Sequence, residues 1–275
     1  MILVTGGNGA LAEGIAKSLR DNGIEPLIGT RTPSGAEHRV DFDAPDTLAN
    51  AFAGVDTLVL VSAGYAEDDV VFARHRNAIE AAANAGVTHV VYTSLVGAGD
   101  HLSIAAAHRH TERLLAASGL TATVLRNGLY AELFAADARS AAATGVLALP
   151  WGEGGLRPVA REDLAEAAAN VARDLDAGHG GYAGRTYELD GAEYVDGRAL
   201  AAALTASAGR EVAYLDQPLA AVREALPQLG LLPYQVAHTI SMLSNIKGGL
   251  LDREGTDLPG LLGRAPRSPL AVLAA

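Results

Sequence analysis

The stretch Thr5-Gly6-Gly7-Asn8-Gly9-Ala10-Leu11-Ala12 stands between an apolar run, residues 2–5, and a segment of helical spacing, residues 10–22, with Leu11, Ile15 and Leu19 on one face. A strand that turns sharply into a helix needs glycine where the backbone bends. It needs a missing side chain again where an anion approaches the helix N-terminus, whose first N–H groups have no intrahelical partner. Gly6 and Gly9 supply both, and Ala12 takes the close-packing third position. In this place the spacing Gly-x-x-Gly-x-x-Ala reads as a dinucleotide-binding loop, with Gly6, Asn8, Gly9, Ala10 and Leu11 as candidate cofactor-binding residues. The plain alternative is a glycine turn without a ligand.

The rest of the first half continues the alternation this loop begins. Strands are expected at residues 26–29, 39–42, 57–62, 89–94 and 122–126, and helices at 44–53, 68–85 and 105–118. Six strands with intervening helices predict an α/β fold, a Rossmann-type doubly wound parallel sheet. Beyond residue 128 the pattern loosens. Helices are expected at 129–143, 161–175, 199–207, 219–226 and 234–245, with short strands at 146–149, 186–189 and 211–215. The expected organisation is a nucleotide-binding core over 1–128 and a smaller α/β substrate lobe over 129–275, some of whose elements return to the core.

Composition limits the functions open to such a fold. The 275 residues include 21 basic and 32 acidic side chains, a formal charge of −11, so nucleic acid is not an expected partner. There is no cysteine, which excludes disulfides, thiolate metal sites and a cysteine nucleophile. No apolar run reaches the roughly 18 residues of a membrane helix, and the N-terminus has no basic flank of a signal peptide. A cytoplasmic protein that does not meet the membrane is expected. His108 and His110 lie on different helix faces, His75 reads as bonding locally, and no metal site is expected.

The end of the second strand selects among nicotinamide cofactors. An acidic residue there suits NAD, whereas this chain has Thr30-Arg31-Thr32, a cation between hydroxyls that suits the 2′-phosphate of NADP(H). An ordinary solvated arginine is the alternative. Asp41, at the end of the third expected strand, is a candidate partner for the adenine amine or else a plain loop aspartate. Ligands of open α/β sheets lie beyond the carboxyl ends of the strands. That adds Ser62, Ala63 and Gly64, then Thr93 and Ser94, then Asn127 and Tyr130.

Several blocks carry a family resemblance. They are the glycine loop, Arg74-His75-Arg76-Asn77-Ala78-Ile79-Glu80-Ala81-Ala82, Tyr92-Thr93-Ser94-Leu95, His108-x-x-Thr111-Glu112-x-x-Leu115 and Leu125-Arg126-Asn127-Gly128-x-Tyr130, followed by Lys247-Gly248-Gly249-Leu250 and Leu262-Gly263-Arg264. Over nearly its whole length the chain resembles the NmrA-like atypical short-chain dehydrogenases, most closely their bacterial NAD(P)H:quinone oxidoreductases. The resemblance implies a Rossmann domain, NADPH and a cleft against a C-terminal lobe. It departs at Glu132-Leu133, where the family tends to Glu-Asn, and at Ser62-Ala63-Gly64, which is poorer in hydroxyls. Both segments border the expected substrate position.

The Tyr-x-x-x-Lys pair of orthodox short-chain dehydrogenases is absent. The chain has two lysines, Lys17 and Lys247, preceded four residues earlier by Glu13 and Leu243. A quinone tolerates this, because hydride uptake yields a stable phenolate, whereas an aliphatic ketone yields a basic alkoxide that needs a placed acid. The expected function is NADPH-dependent reduction of a quinone or similar aromatic, conjugated small molecule. Ser94 and Tyr130 are candidates for bonding the acceptor oxygen, and His108 for donating a proton. Two rivals stay open: a non-catalytic NADP(H)-sensing regulator, and a ketone or imine reductase of a biosynthetic pathway. A homodimer is compatible with any of these.

Overall fold

The computed structural model describes residues 1–63 and 66–275. The chain begins β1 (Ile2–Val4), α1 (Ala10–Asp21), β2 (Leu27–Thr30), β3 (His38–Arg39), α2 (Asp46–Phe52), β4 (Thr57–Val61), α3 (Asp68–Ala85), β5 (His89–Leu95), α4 (Ala105–Ala117) and β6 (Thr121–Asn127). It continues α5 (Ala135–Thr144), β7 (Val146–Leu149), β8 (Gly155–Leu156), α6 (Arg161–Asp176), β9 (Thr186–Leu189), β10 (Val195–Asp196), α7 (Gly197–Ala208) and β11 (Ala213–Asp216). The last elements are α8 (Leu219–Ala225), α9 (Pro233–Lys247), α10 (Leu258–Leu262) and α11 (Pro269–Leu273).

Seven strands form one parallel sheet in the order β3-β2-β1-β4-β5-β6-β9. This is the Rossmann-type doubly wound arrangement. β1 and the centre of β4, Leu58 to Leu60, are buried apolar residues, as strands covered by helices on both faces must be. One face carries α1 and α6, the other α2, α3 and α4.

Three elements of the second half belong to this core. β9 extends the sheet beside β6, α6 packs on α1, and α10 packs on α6 through Leu258, Leu261 and Leu262. A Cβ at Gly14 of α1 would stand 2.9 Å from the Cβ of Ala165, so the missing side chain sets how closely these helices approach. Ile15 and Leu19 of α1 are buried in the same layer, each worth about 1.5–3 kcal/mol of transfer free energy. The remaining C-terminal elements gather around Trp151, Phe134 and Leu147 in a core of their own.

Two of the boundaries that differ from the sequence reading bear on the site. The third strand is only His38–Arg39, so Asp41 lies beyond it, in a loop where Asp43 N–H donates to Asp41 Oδ1 at 3.1 Å. The helix expected from residue 129 begins at Ala135, because Leu129 and Tyr130 run extended alongside Val159 through backbone hydrogen bonds and Ala131–Phe134 form a short 3-10 turn. Among the described residues no helix is long and apolar enough to cross a membrane.

Candidate functional site

A cavity of about 630 Å³ opens at the carboxyl ends of β1, β4, β5 and β6. One end is formed by the glycine loop. Gly9 is the N-cap of α1 and has no side chain to cap the first-turn N–H groups, which are left for an anion. Gly6 has φ of 71°, a conformation that favours glycine, and Gly9 N–H donates to Gly6 C=O at 2.8 Å. Gly7, an unspecified position in the sequence reading, is as constrained. Its N–H donates to Gly29 C=O at 2.9 Å, and a Cβ there would fall 2.4 Å from Ile28 Cγ2.

Gly6, Asn8, Gly9 and Leu11 line the cavity. Ala10 does not: it is the exposed first residue of α1. Asn8 Nδ2 donates to Thr32 Oγ1 at 3.2 Å, and Thr32 N–H donates to Thr30 Oγ1 at 3.4 Å. Each hydroxyl accepts here, so its own proton stays available to an incoming oxygen.

Arg31, Asp41, Asp43 and Arg74 form the rim next to this loop. Arg74 grips Asp43 with two hydrogen bonds of 2.8 and 2.6 Å, and it holds that carboxyl below its ordinary range, with a smaller contribution from Arg31. Asn77 Nδ2 donates to Phe42 C=O at 2.8 Å. His75 Nε2 accepts from Ala63 N–H at 2.9 Å, while its Nδ1 meets Thr111 Oγ1 at 2.7 Å. The Arg-His-Arg-Asn block on α3 therefore ties down the loops after β3 and β4. That role was invisible in spacing alone, because the partners are 12 to 36 residues away.

The cavity floor contains Ser62, Ala63, Thr93 and Asn127. Gly64, the last residue of that candidate segment, lies outside the described residues. Ser62 N–H donates to Thr93 Oγ1 at 3.1 Å, joining the ends of β4 and β5. Asn127 is buried, and its Oδ1 has no hydrogen-bond partner. A buried amide oxygen without a donor is costly unless a ligand supplies one. The uncapped helix start, the glycine cradle and this oxygen together fit a dinucleotide running from the α1 N-terminus to the end of β6.

The far end is more apolar. Leu95, Ile104, Leu129 and Leu133 surround Ser94, His108 and Tyr130. The departure at Glu132-Leu133 has a structural reading: both carboxylate oxygens of Glu132 accept from the N–H of Arg161 at the start of α6, and half-exposed Leu133 gives the cavity an apolar wall. The Tyr130 ring lies 5.1 Å from the Arg161 guanidinium, and burial pushes its phenol above the ordinary value.

Two candidate roles change here. Ser94 lines the cavity, but its hydroxyl donates to Glu112 Oε1 at 2.6 Å, so its proton is committed away from an acceptor. Glu112 in turn pairs with Arg109 and Arg126 at 2.7 Å each, and Arg126 with Glu188 at 2.9 Å. This network, which sequence reasoning missed, clamps β5, β6 and β9 to α4. His108 is not a cationic acid: desolvation lowers it to about 4, and its Nδ1 sits 3.0 Å from the hydroxyl of Tyr92. Both lysines are engaged elsewhere, Lys17 with Asp21 and Lys247 with Asp216.

Comparison with known proteins gives matches over the same regions. A family model described as NAD(P)H-binding matches residues 6–175. Quinone oxidoreductase 2 of Escherichia coli (strain K12) is 34% identical, over 98% of this chain and 96% of its own length. The structure of the NADPH-dependent quinone oxidoreductase of Escherichia coli complexed with NADPH has a TM-score of 0.88 at 30% identity, covering 100% of this chain and 99% of that one. Triphenylmethane reductase of Citrobacter sp., complexed with NADP(H), has a TM-score of 0.89 at 25% identity, covering 100% and 99%.

Proposed function

The chain belongs to the NAD(P)H-binding family, and from that premise we propose that it is an NADPH-dependent oxidoreductase that passes hydride to a quinone or a similarly conjugated small molecule. The observation that carries the reading is the division of one cavity into a glycine-loop end suited to a dinucleotide and an apolar end with Ser94, His108 and Tyr130 but no lysine. The acceptor named for the Escherichia coli relative supports the same chemistry.

A bound reduced nicotinamide would supply the hydride. The chain's own part is to bind and orient. The first-turn N–H groups of α1 would hold the pyrophosphate, and Arg31 with the Thr30 and Thr32 hydroxyls would hold the 2′-phosphate. Asn127 Oδ1, which has no partner in the protein, would accept a hydrogen bond from the bound nicotinamide. Leu95, Ile104, Leu129 and Leu133 hold an aromatic ring and exclude water. Tyr130 donates a hydrogen bond to the acceptor oxygen, and its proton stays on because burial raises its pKa. The product phenolate collects its proton from water.

The test is NADPH oxidation against quinones, cyclic enones and unconjugated ketones. Turnover with quinones and none with unconjugated ketones supports the reading. Tight NADPH binding without turnover on any of them overturns it.

A further inference from the structure

Tyr92 lies in β5, fully buried, with its hydroxyl 3.0 Å from Nδ1 of His108 on α4. Its ring also meets that of His75 edge-on, the centroids 5.8 Å apart. His75 offers it no acceptor. Nε2 of His75 already accepts from Ala63 N–H, so the ring carries its proton on Nδ1 and donates it to Thr111 Oγ1. Thr111 passes its own hydroxyl proton to Ala107 C=O at 2.9 Å. The Thr111 and Ser62 hydroxyls also face the Tyr92 hydroxyl, and among these groups the His108 imidazole nitrogen, 3.0 Å away, is the strongest acceptor.

His108 is a neutral imidazole, since burial disfavours its charged form, and Tyr92 keeps its proton for the same reason. Between a neutral phenol and a neutral imidazole, the phenol is the better donor and the ring nitrogen the better acceptor. Donation by Tyr92 to Nδ1 leaves the His108 proton on Nε2. That nitrogen belongs to a residue lining the acceptor end of the cavity, beside Ile104, Leu129 and Tyr130. A neutral N–H aimed at a developing oxyanion stabilises it without needing a charged acid.

We propose that Tyr92 is a positioning residue that locks His108 as its Nε2–H tautomer, so that His108 presents a fixed neutral donor to the oxygen of a carbonyl-type acceptor. The proposal rests on the reductase reading and deepens it, because it names the atom class on which charge develops. In the step it serves, a hydride leaving the C4–H bond of the bound dihydronicotinamide would form a C–H bond at a conjugated ring carbon, the ring π pair would shift toward the carbonyl carbon and the carbonyl π pair would move to oxygen, and loss of the ring-carbon proton to water would then restore the aromatic phenolate. The Nε2–H bond stays intact and holds that oxygen, and water later supplies the proton. Electrons and atoms balance with NADPH as the reductant.

The test pairs spectroscopy with kinetics. Long-range ¹H–¹⁵N spectra of protein labelled with ¹⁵N-histidine report which His108 nitrogen carries the proton. Wild type is expected to show protonated Nε2 and bare Nδ1, and Tyr92→Phe a mixed tautomer pattern. In quinone reduction Tyr92→Phe is expected to lower kcat roughly two- to tenfold with KM little changed, as for one hydrogen bond felt in the transition state. His108→Gln, whose amide N–H reaches the Nε2 position, should keep more activity than His108→Leu and should no longer respond to Tyr92→Phe. A wild-type spectrum with the proton on Nδ1, or fully additive losses in the Tyr92→Phe/His108→Gln double variant, would overturn the proposal. The spectra need no turnover, so a failed reductase reading leaves the tautomer lock separately decided.

Discussion

Ser94 Oγ donates to Glu112 Oε1 across 2.6 Å, and that bond joins the cavity wall to a cluster of guanidinium groups. The hydroxyl is therefore a fixed part of the wall rather than a free donor. Ser94→Ala is expected to slow turnover less than about tenfold, the scale of one hydrogen bond. Glu112→Ala is expected to lower stability by about 1–3 kcal/mol in urea denaturation, because Arg109 and Arg126 lose their shared carboxylate. This is less than the roughly 3–5 kcal/mol of a fully buried pair, since Glu112 keeps 14% of its side chain exposed. Equal stability of the two variants would contradict the network.

Arg31→Ala is expected to weaken NADPH about tenfold or more while leaving NADH nearly unchanged. A charge-assisted contact to phosphate is worth about 1.5–3 kcal/mol, and NADH lacks that phosphate. Titrations followed by nucleotide fluorescence decide this. Parallel losses for both cofactors would remove Arg31 from the 2′-phosphate.

Gly9→Val is expected to abolish dinucleotide binding in a folded protein. A Cβ at Gly9 already meets Gly6 C=O at 3.2 Å, and the valine methyl groups extend over the uncapped first turn of α1. Circular dichroism checks the fold and calorimetry the binding. Unchanged affinity in a folded variant would make the loop a turn only.

Stability should fall as pH drops below about 6.5, the ordinary histidine value. Desolvation lowers His75 to about 3 and His108 to about 4 in the folded protein. Between those values and 6.5 the unfolded chain binds protons that the folded one does not, so this contribution is full above 6.5 and is lost on acidification. Each histidine removes about 1.4 kcal/mol per pH unit within its window. Urea denaturation from pH 7.5 to 5 measures the slope, and the double variant His75→Gln/His108→Gln should flatten it. An equally steep slope in that variant would contradict the assignment.

The glycine loop announced the fold because its function is local: strand end, bend and helix start lie within a dozen residues. The strand β4 was equally legible, since burial on both faces leaves a run of leucine and valine. The edges were harder. β3 has two residues and little pattern, so Asp41 was assigned to a strand that ends before it. The candidate site came into view as a set of strand ends, and the structure gathers Ser62, Thr93, Asn127 and Tyr130 around one cavity. What spacing did not reveal was where protons go. Glu112 reaches Ser94 from a helix, Arg126 reaches Glu188 across 62 residues, and His108 meets a tyrosine from the neighbouring strand. Such pairings depend on packing between elements, which residue periodicity does not encode.

Single-turnover NADPH oxidation with a simple quinone, in wild type and Tyr130→Phe, tests the reductase account most directly. The account predicts stoichiometric oxidation by wild type. It also predicts only a two- to twelvefold slower rate in Tyr130→Phe, the loss of about 0.5–1.5 kcal/mol for one neutral hydrogen bond. Tight NADPH binding with no oxidation by wild type, whichever quinone is supplied, would contradict it.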